Sequence, residues 1–322
     1  MTSTFNLSAP VQNLLDQFQK EMAPKQIILQ EKESQFPATM LDPEESQMIL
    51  TKTGDIELFV PNPRFANFIV AHELMHLQQE GRQSVQISYV KQNNPQFSQF
   101  LDQIGQELRN IVVHQAMHQQ LLELGVLDDD VQQAIQKLID EKLPVDDSTT
   151  SALVIAMKAI QLADTFTFVG LVDHWQEKFA KSMKVAAELW QLVITANLTT
   201  NRQVRALIGQ LINYFAEYFD KFGLQIPSLA DNLLLKPVLS ERQLKLSVRQ
   251  LFQLWRQPNA ATTYLVKGIQ DEQAISLIEI PKDEQQEAAM LAIYDLSVQA
   301  FLDKFALNYA PRDLRVFPED EQ

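Results

Sequence analysis

The stretch Phe65–Leu77 reads FANFIVAHELMHL, with His72, Glu73 and His76 set inside an otherwise apolar run. At a helical period, residues i and i+4 lie on one face, so both imidazoles can meet one metal ion, and Glu73 sits beside that face. Phe65, Phe68 and Ile69 flank the face on one side, and Val70, Leu74 and Leu77 on the other. The helix is therefore expected to be buried, where isolated ionisable groups are costly. Histidine is rare, 5 of 322 residues, so two at this spacing around a glutamate are unexpected by accident. The helix has clear ends. Asn62 is a good N-cap, Pro63 suits the first helical position and Gly81 the stop, which predicts a helix over 63–80.

Working outward, the stretch 25–30 and the pair 47–52 and 55–60 are short and rich in Ile, Leu, Val and Phe, which reads as strands. Thr53-Gly54 makes a hairpin of the last two. An amphipathic helix over 9–22 precedes them, carried by Val11, Leu14, Leu15, Phe18 and Met22. Asn94-Pro95 and Gly125 bound a long helix over 95–124. The polar segment DEKLPVDDSTTS (140–151) separates this part from a region read as helices over 150–164, 168–196, 200–222, 239–256 and 282–306. A β pair at 262–267 and 274–280 interrupts it. The expected fold is α+β and predominantly helical. A region with a small sheet and the His-Glu helix spans 1–142, and a mainly helical region spans 143–322. No repeat of fixed period argues for a solenoid.

The chemistry expected of these residues is that of zinc. The metal lowers the pKa of a water molecule toward about 7, and Glu73 is placed to accept its proton and later deliver it to a leaving amine. A catalytic zinc needs a third protein ligand and an open position. On the long helix, Phe97, Phe100, Ile104, Ile111 and Leu121 form an apolar seam, on which Glu107, His114 and His118 stand. Glu107 is the expected third ligand. His114, roughly 10 Å further along the axis at 1.5 Å per residue, is assigned to substrate or the developing oxyanion. The open alternative makes His114 the ligand and Glu107 its orienting partner, since imidazole binds zinc equally well. Asn110 is a candidate hydrogen-bond partner of a ligand. Glu80 reads as exposed, His174 as structural, and His118 as either core or site.

Composition narrows the class. With 27 basic and 41 acidic residues the formal charge is −14, so no nucleic-acid partner is expected. Cysteine is absent, so any metal site must use histidine and carboxylates. The most apolar stretch, Ala152–Val172, contains Lys158 and Asp164 and is not expected to cross a membrane. Met1–Pro10 lacks the pattern of a signal peptide, and a cytoplasmic location is the default expectation.

The His72-Glu73-Leu74-Met75-His76 motif with a glutamate on a later helix resembles the zincin metallopeptidases, in their gluzincin-like branch. The resemblance covers residues 45–120. It implies peptide-bond hydrolysis in a cleft between a sheet-bearing part and a helical part. It also implies that a strand within 47–60 pairs with extended substrate. Gln79 and Arg82 exclude the metzincin extension, and Ile111 stands where gluzincins commonly have an aspartate. The expectation is a zinc metallopeptidase acting on peptide or protein, with His72, His76 and Glu107 on the metal, Glu73 as base and His114 as stabiliser. Two alternatives stay open: hydrolysis of a non-peptide amide, and a helical binding or regulatory protein with a structural or vestigial zinc.

Overall fold

The computed structural model describes residues 5–81, 83–258 and 260–317; Arg82, weighed above as a ligand position, lies outside them. The architecture is α+β and predominantly helical, with its strands in small sheets. The chain opens on α1 (Ala9–Met22), followed by β1 (Ile27–Glu31), β2 (Gln47–Leu50) and β3 (Ile56–Val60). β3 is central in their sheet. β1 runs parallel to it and β2 antiparallel, so β2 is an edge strand. The predicted hairpin forms, with Gly54 at φ +86°, where residues bearing a Cβ are strained.

One 3₁₀ turn, Pro63–Phe65, leads into α2 (Ala66–Gly81). Asn62 both caps and clamps. Its Oδ1 accepts from the Arg64 amide, while its Nδ2 donates to the carbonyls of Ala38 (3.3 Å) and Met40 (2.9 Å). The residue that starts the helix thus also holds the loop leading to β2. α2 is apolar around most of its circumference and accordingly buried, with Phe68, Ile69, Val70, Ala71, Leu74 and Met75 all in the core.

β4 (Ile87–Tyr89) precedes α3 (Pro95–Glu123), whose first amides are capped by Asn94 as its Asn-Pro start predicts. Then come α4 (Asp129–Lys142), α5 (Ala152–Val169), the single turn α6 (Trp175–Lys178), α7 (Ala180–Ile194) and α8 (Asn201–Lys221). α3 serves two cores. Leu101, Ile104, Leu108, Ile111 and Val112 pack with α5, α7 and α8, whereas Val113, Met117 and Leu121 pack with α1, α2 and β3. The first of these cores joins residues from both sides of position 142. By length and composition α5 is apolar enough to cross a membrane, yet 56% of it is buried within the protein. Gly170 at φ +69° ends α5, so the helix expected over 168–196 begins afresh at α6 and α7.

β5 (Leu233–Leu235) pairs with β4, and β6 (Val238–Leu239) with a strand at the far end of the chain, Ala310–Pro311. A third core lies under the antiparallel sheet β7 (Phe252–Arg256), β8 (Thr263–Gly268) and β9 (Ala274–Glu279). Here two expected helices are corrected. Residues 239–256 form two single turns, Glu241–Leu244 and Val248–Leu251, and then β7; residues 282–306 break into Glu287–Asp295 and Val298–Lys304. The breaks face each other. Val248 N donates to the Leu296 carbonyl (3.0 Å) and Val298 N to that of Leu246 (2.8 Å), so backbone groups that helices would use locally pair across the fold.

Candidate metal centre

α2, α3 and α5 meet at a buried group of imidazoles. His72 and His76 project from one face of α2, and α3 crosses that face with His114. The Nε2 atom of His114 lies 3.1 Å from that of His72 and 3.1 Å from that of His76, which are 3.2 Å from each other. His72 and His114 are buried and His76 is partly exposed. The three lie close enough to bind one metal ion.

The donor set fits a cation. Each Nε2 carries either a hydrogen or a lone pair, so at least two of the three are alike. An alike pair cannot hydrogen-bond, which leaves an unfavourable contact that the protein alone does not resolve. A cation that accepts three lone pairs removes it. An ion about 2.0–2.1 Å from each of three nitrogens in a tetrahedral array sets them roughly 3.3–3.4 Å apart, a few tenths of an ångström wider than here. His114 Nδ1 lies 2.7 Å from Asp164 Oδ1 on α5, and in the tautomer that carries its hydrogen on Nδ1 the Nε2 lone pair faces inward. Phe68 stacks on His72, and Phe168 packs on both His72 and His114, so the rings are held by aromatic walls.

Burial shifts two of the imidazoles in the direction metal binding requires. It drives His76 well below the ordinary histidine range, aided by the two neighbouring imidazoles. It also lowers His114, against the opposing pull of Glu44 and Glu73. Both shifts favour the neutral ring, the form in which imidazole binds a metal. Burial pushes Asp164 up to about 7, against the pull of His72. A cation held between the rings acts in the opposite sense on that carboxyl.

Glu73 is buried on α2 and accepts from Ser46 Oγ at 2.5 Å; its Oε1 is also 3.4 Å from His72 Nδ1. Ser46 lies in the segment that Asn62 clamps, just after the 3₁₀ turn Pro43–Glu45 and just before β2. The same turn brings Glu44 Oε1 to 3.7 Å from His114 Nε2, and Asn110 Nδ2 donates to Glu44 Oε2 at 3.3 Å. Glu44, His114 and Asp164 form a second grouping close enough for a metal ion. Half of the Glu44 side chain is exposed, but enough protein surrounds it that burial raises its pKa.

Of the residues on the α3 seam, the structure brings His114, and not the expected Glu107, to the two imidazoles of α2. Glu107 is not brought to the imidazoles, and its Oε1 accepts from Gln103 at 2.8 Å one turn back on α3. His114, two turns beyond Glu107 on α3, stands against His72 and His76 in the place expected of Glu107. Asn110 supports Glu44 rather than Glu107. His118 Nδ1 bonds the Thr167 carbonyl (2.6 Å), a structural contact. His174 pairs with Asp140 at 3.0 Å, and Glu80 is exposed as expected. Three residues escaped the sequence reading: Asp164, Glu44 and Ser46. Asp164 left a trace, as a carboxylate in the most apolar stretch of the chain. Glu44 and Ser46 left none, since short acidic loops are common.

Comparison with known protein families, with curated proteins and with solved structures yields no match.

Proposed function

We propose that the chain is a zinc-dependent hydrolase that cleaves peptide bonds, with His72, His76 and His114 as the metal's protein ligands. The observation that carries this reading is the triangle of Nε2 atoms with a buried glutamate next to one of its ligands. Three imidazoles without thiolate are a donor set used by catalytic zinc sites, which keep a fourth position open. Zinc bound there supplies a Lewis acid that polarises a carbonyl and makes water a nucleophile near neutral pH. Glu73 takes the proton from the attacking water and returns it to the departing nitrogen. Ser46 orients its carboxylate without neutralising it, since a hydroxyl brings no charge. Asp164 fixes the ring of His114. A purely structural metal has no use for Glu73, and burying a carboxylate without a cationic partner is costly.

The edge strand β2 begins one residue after Ser46, and its Ile49 and Leu50 side chains are exposed. Its outer edge has no strand partner among the described residues, which suits an extended peptide and favours a peptide over a smaller amide. The test compares wild type with Glu73→Gln for zinc content, melting temperature and cleavage of a peptide library. Glutamine keeps the shape and loses the proton acceptor, so cleavage should fall about 10²–10⁴-fold at equal zinc. Equal cleavage by the two proteins rules out Glu73 as base. Zinc uptake without cleavage by the wild type leaves the regulatory or structural reading.

A further inference from the structure

Against an overall charge of −14, arginines gather in one part of the fold. Four of its ten arginines, Arg202, Arg205, Arg242 and Arg312, line a single open cleft of about 680 Å³. The cleft lies between α8, β6 with the turn that follows it, and the β8–β9 connection. Among the described residues Asp271 is the one carboxylate in its lining, and it is already engaged with the guanidinium of Arg205. Arg205 Nε also donates to the Lys236 carbonyl at 3.1 Å, so this arginine is held in place from two sides. Arg312 pairs with Asp313, which is not part of the lining. Arg202 and Arg242 have no carboxylate within 4.0 Å among the described residues, although acids outnumber bases by 41 to 27. Arg202 is tied to Arg312 through its amide, which donates to the Arg312 carbonyl at 3.2 Å.

Like charges gathered in a concavity repel one another and focus a positive field into it. In an acidic chain such repulsion is easily relieved by placing carboxylates nearby, and among the described residues two of these guanidinium groups have none within 4.0 Å. The floor is different in character: Leu239, Phe252 and Ile275 are buried apolar residues that reach the cleft. At Gly209, on the α8 wall, the space a Cβ would face is open. The volume falls within the range of sites that enclose small molecules, about 300–1,000 Å³.

We propose that this cleft binds a small phosphate ester, with the phosphate held by Arg202, Arg242 and the anchored Arg205 and the organic part resting on Leu239, Phe252 and Ile275. A phosphate monoester carries close to two negative charges near neutral pH and three acceptor oxygens, which matches several convergent guanidinium forks better than a single carboxylate does. The site shares no residue with the metal centre, so it stands or falls independently of the hydrolase reading.

The test is calorimetric titration of the full chain in 0.15 M salt with three probes: inorganic phosphate, phenyl phosphate and adenosine 5′-monophosphate. An organic phosphate should bind saturably at one site per chain, at least about tenfold more tightly than inorganic phosphate because of the apolar floor. Each of Arg202→Gln and Arg242→Gln should weaken it about tenfold or more, the loss expected for a charge-assisted hydrogen bond. Both side chains are exposed, so melting temperature should not change. Arg64→Gln, which alters a surface arginine paired with Asp130 away from the cleft, should leave affinity unchanged. No saturable binding by either ester up to about 10 mM overturns the proposal. So does binding that the two cleft variants leave intact, or that Arg64→Gln weakens equally.

Discussion

Lys158 and Asp164 stand six residues apart on α5, each at the head of a polar island in apolar surroundings, and the islands differ in whether the protein completes them. Lys158, 6% exposed, donates to the Pro144 carbonyl (2.6 Å) and to Asp146 (2.8 Å). Asp146 in turn accepts from the amide (2.7 Å) and hydroxyl (3.1 Å) of Ser182. This cluster joins the 143–151 connection to α5 and α7 and satisfies itself. Asp164 also has its partner, His114, but beyond it three ring nitrogens face one another and cannot all pair, and among the described residues His72 Nδ1 has no hydrogen-bond partner. A buried polar group that closes on itself is a fastening. One that does not close points to an occupant from outside.

The strongest way to break this contrast is to remove a ligand. His114→Ala should abolish metal retention on dialysis, whereas Glu107→Ala should keep it, read as metal per chain by elemental analysis. Retention by the first variant and loss by the second would restore Glu107 as ligand. The second effect belongs to the closed island. Lys158→Met leaves Asp146 buried without its counter-charge, and removing one partner of such a pair costs about 3–5 kcal/mol. The urea midpoint should fall accordingly, with metal content of the folded protein unchanged. Equal metal loss there would show that the two islands are coupled. Asp164→Asn is milder. The amide oxygen still accepts from His114 Nδ1, but the charge that favours the ligand is gone. Metal affinity should drop about 10–100-fold, the usual cost of losing a ligand's supporting partner. An unchanged affinity in a competition titration removes Asp164 from the centre.

What was legible in the sequence follows from range. His72, Glu73 and His76 belong to one helix, so their relation is a matter of period alone, and the caps at Asn62 and Asn94 are local as well. α3 was legible as a helix, and the seam bearing Glu107 and His114 was legible too. Which of the two meets α2 depends on where the helices cross, a tertiary fact two turns wide. Asp164 and Glu44 come from 50 residues downstream and 70 residues upstream of His114, respectively, and no periodicity links them to it. The C-terminal helices failed for a related reason. Residues 239–256 and 282–306 have helical spacing, but Ser247 and Ser297 pair as a backbone bridge. Ser240 and Ser247 each form a capping box with the glutamine three residues on, which restarts the chain after a single turn. Capping signals inside a periodic stretch were the available warning.

The smallest expected effect concerns pH and again separates the islands. Burial alone would raise the Asp146 carboxyl, but hydrogen bonds from Lys158 and Ser182, with the charge of Lys158, outweigh it and leave the group below the usual carboxylate range. A carboxyl whose pKa is lower folded than unfolded binds fewer protons in the native state. Its stabilisation is therefore complete above the unfolded value of about 3.9 and is lost as pH falls through the folded one. Asp146→Asn has no such proton to gain. The difference in urea stability between wild type and this variant should be level from pH 8 down to about pH 5 and should shrink only below about pH 4. Chelator-treated protein is needed for the measurement, since protons also compete with metal for imidazole ligands and would add their own slope near neutrality. In the metal-loaded protein that extra slope should appear between about pH 5 and 7, equally in wild type and Asp146→Asn, because it arises at the other island. A difference that already shrinks at pH 6 without metal would mean that Asp146 is not held as the geometry implies, and the closed island would lose its standing as a simple fastening.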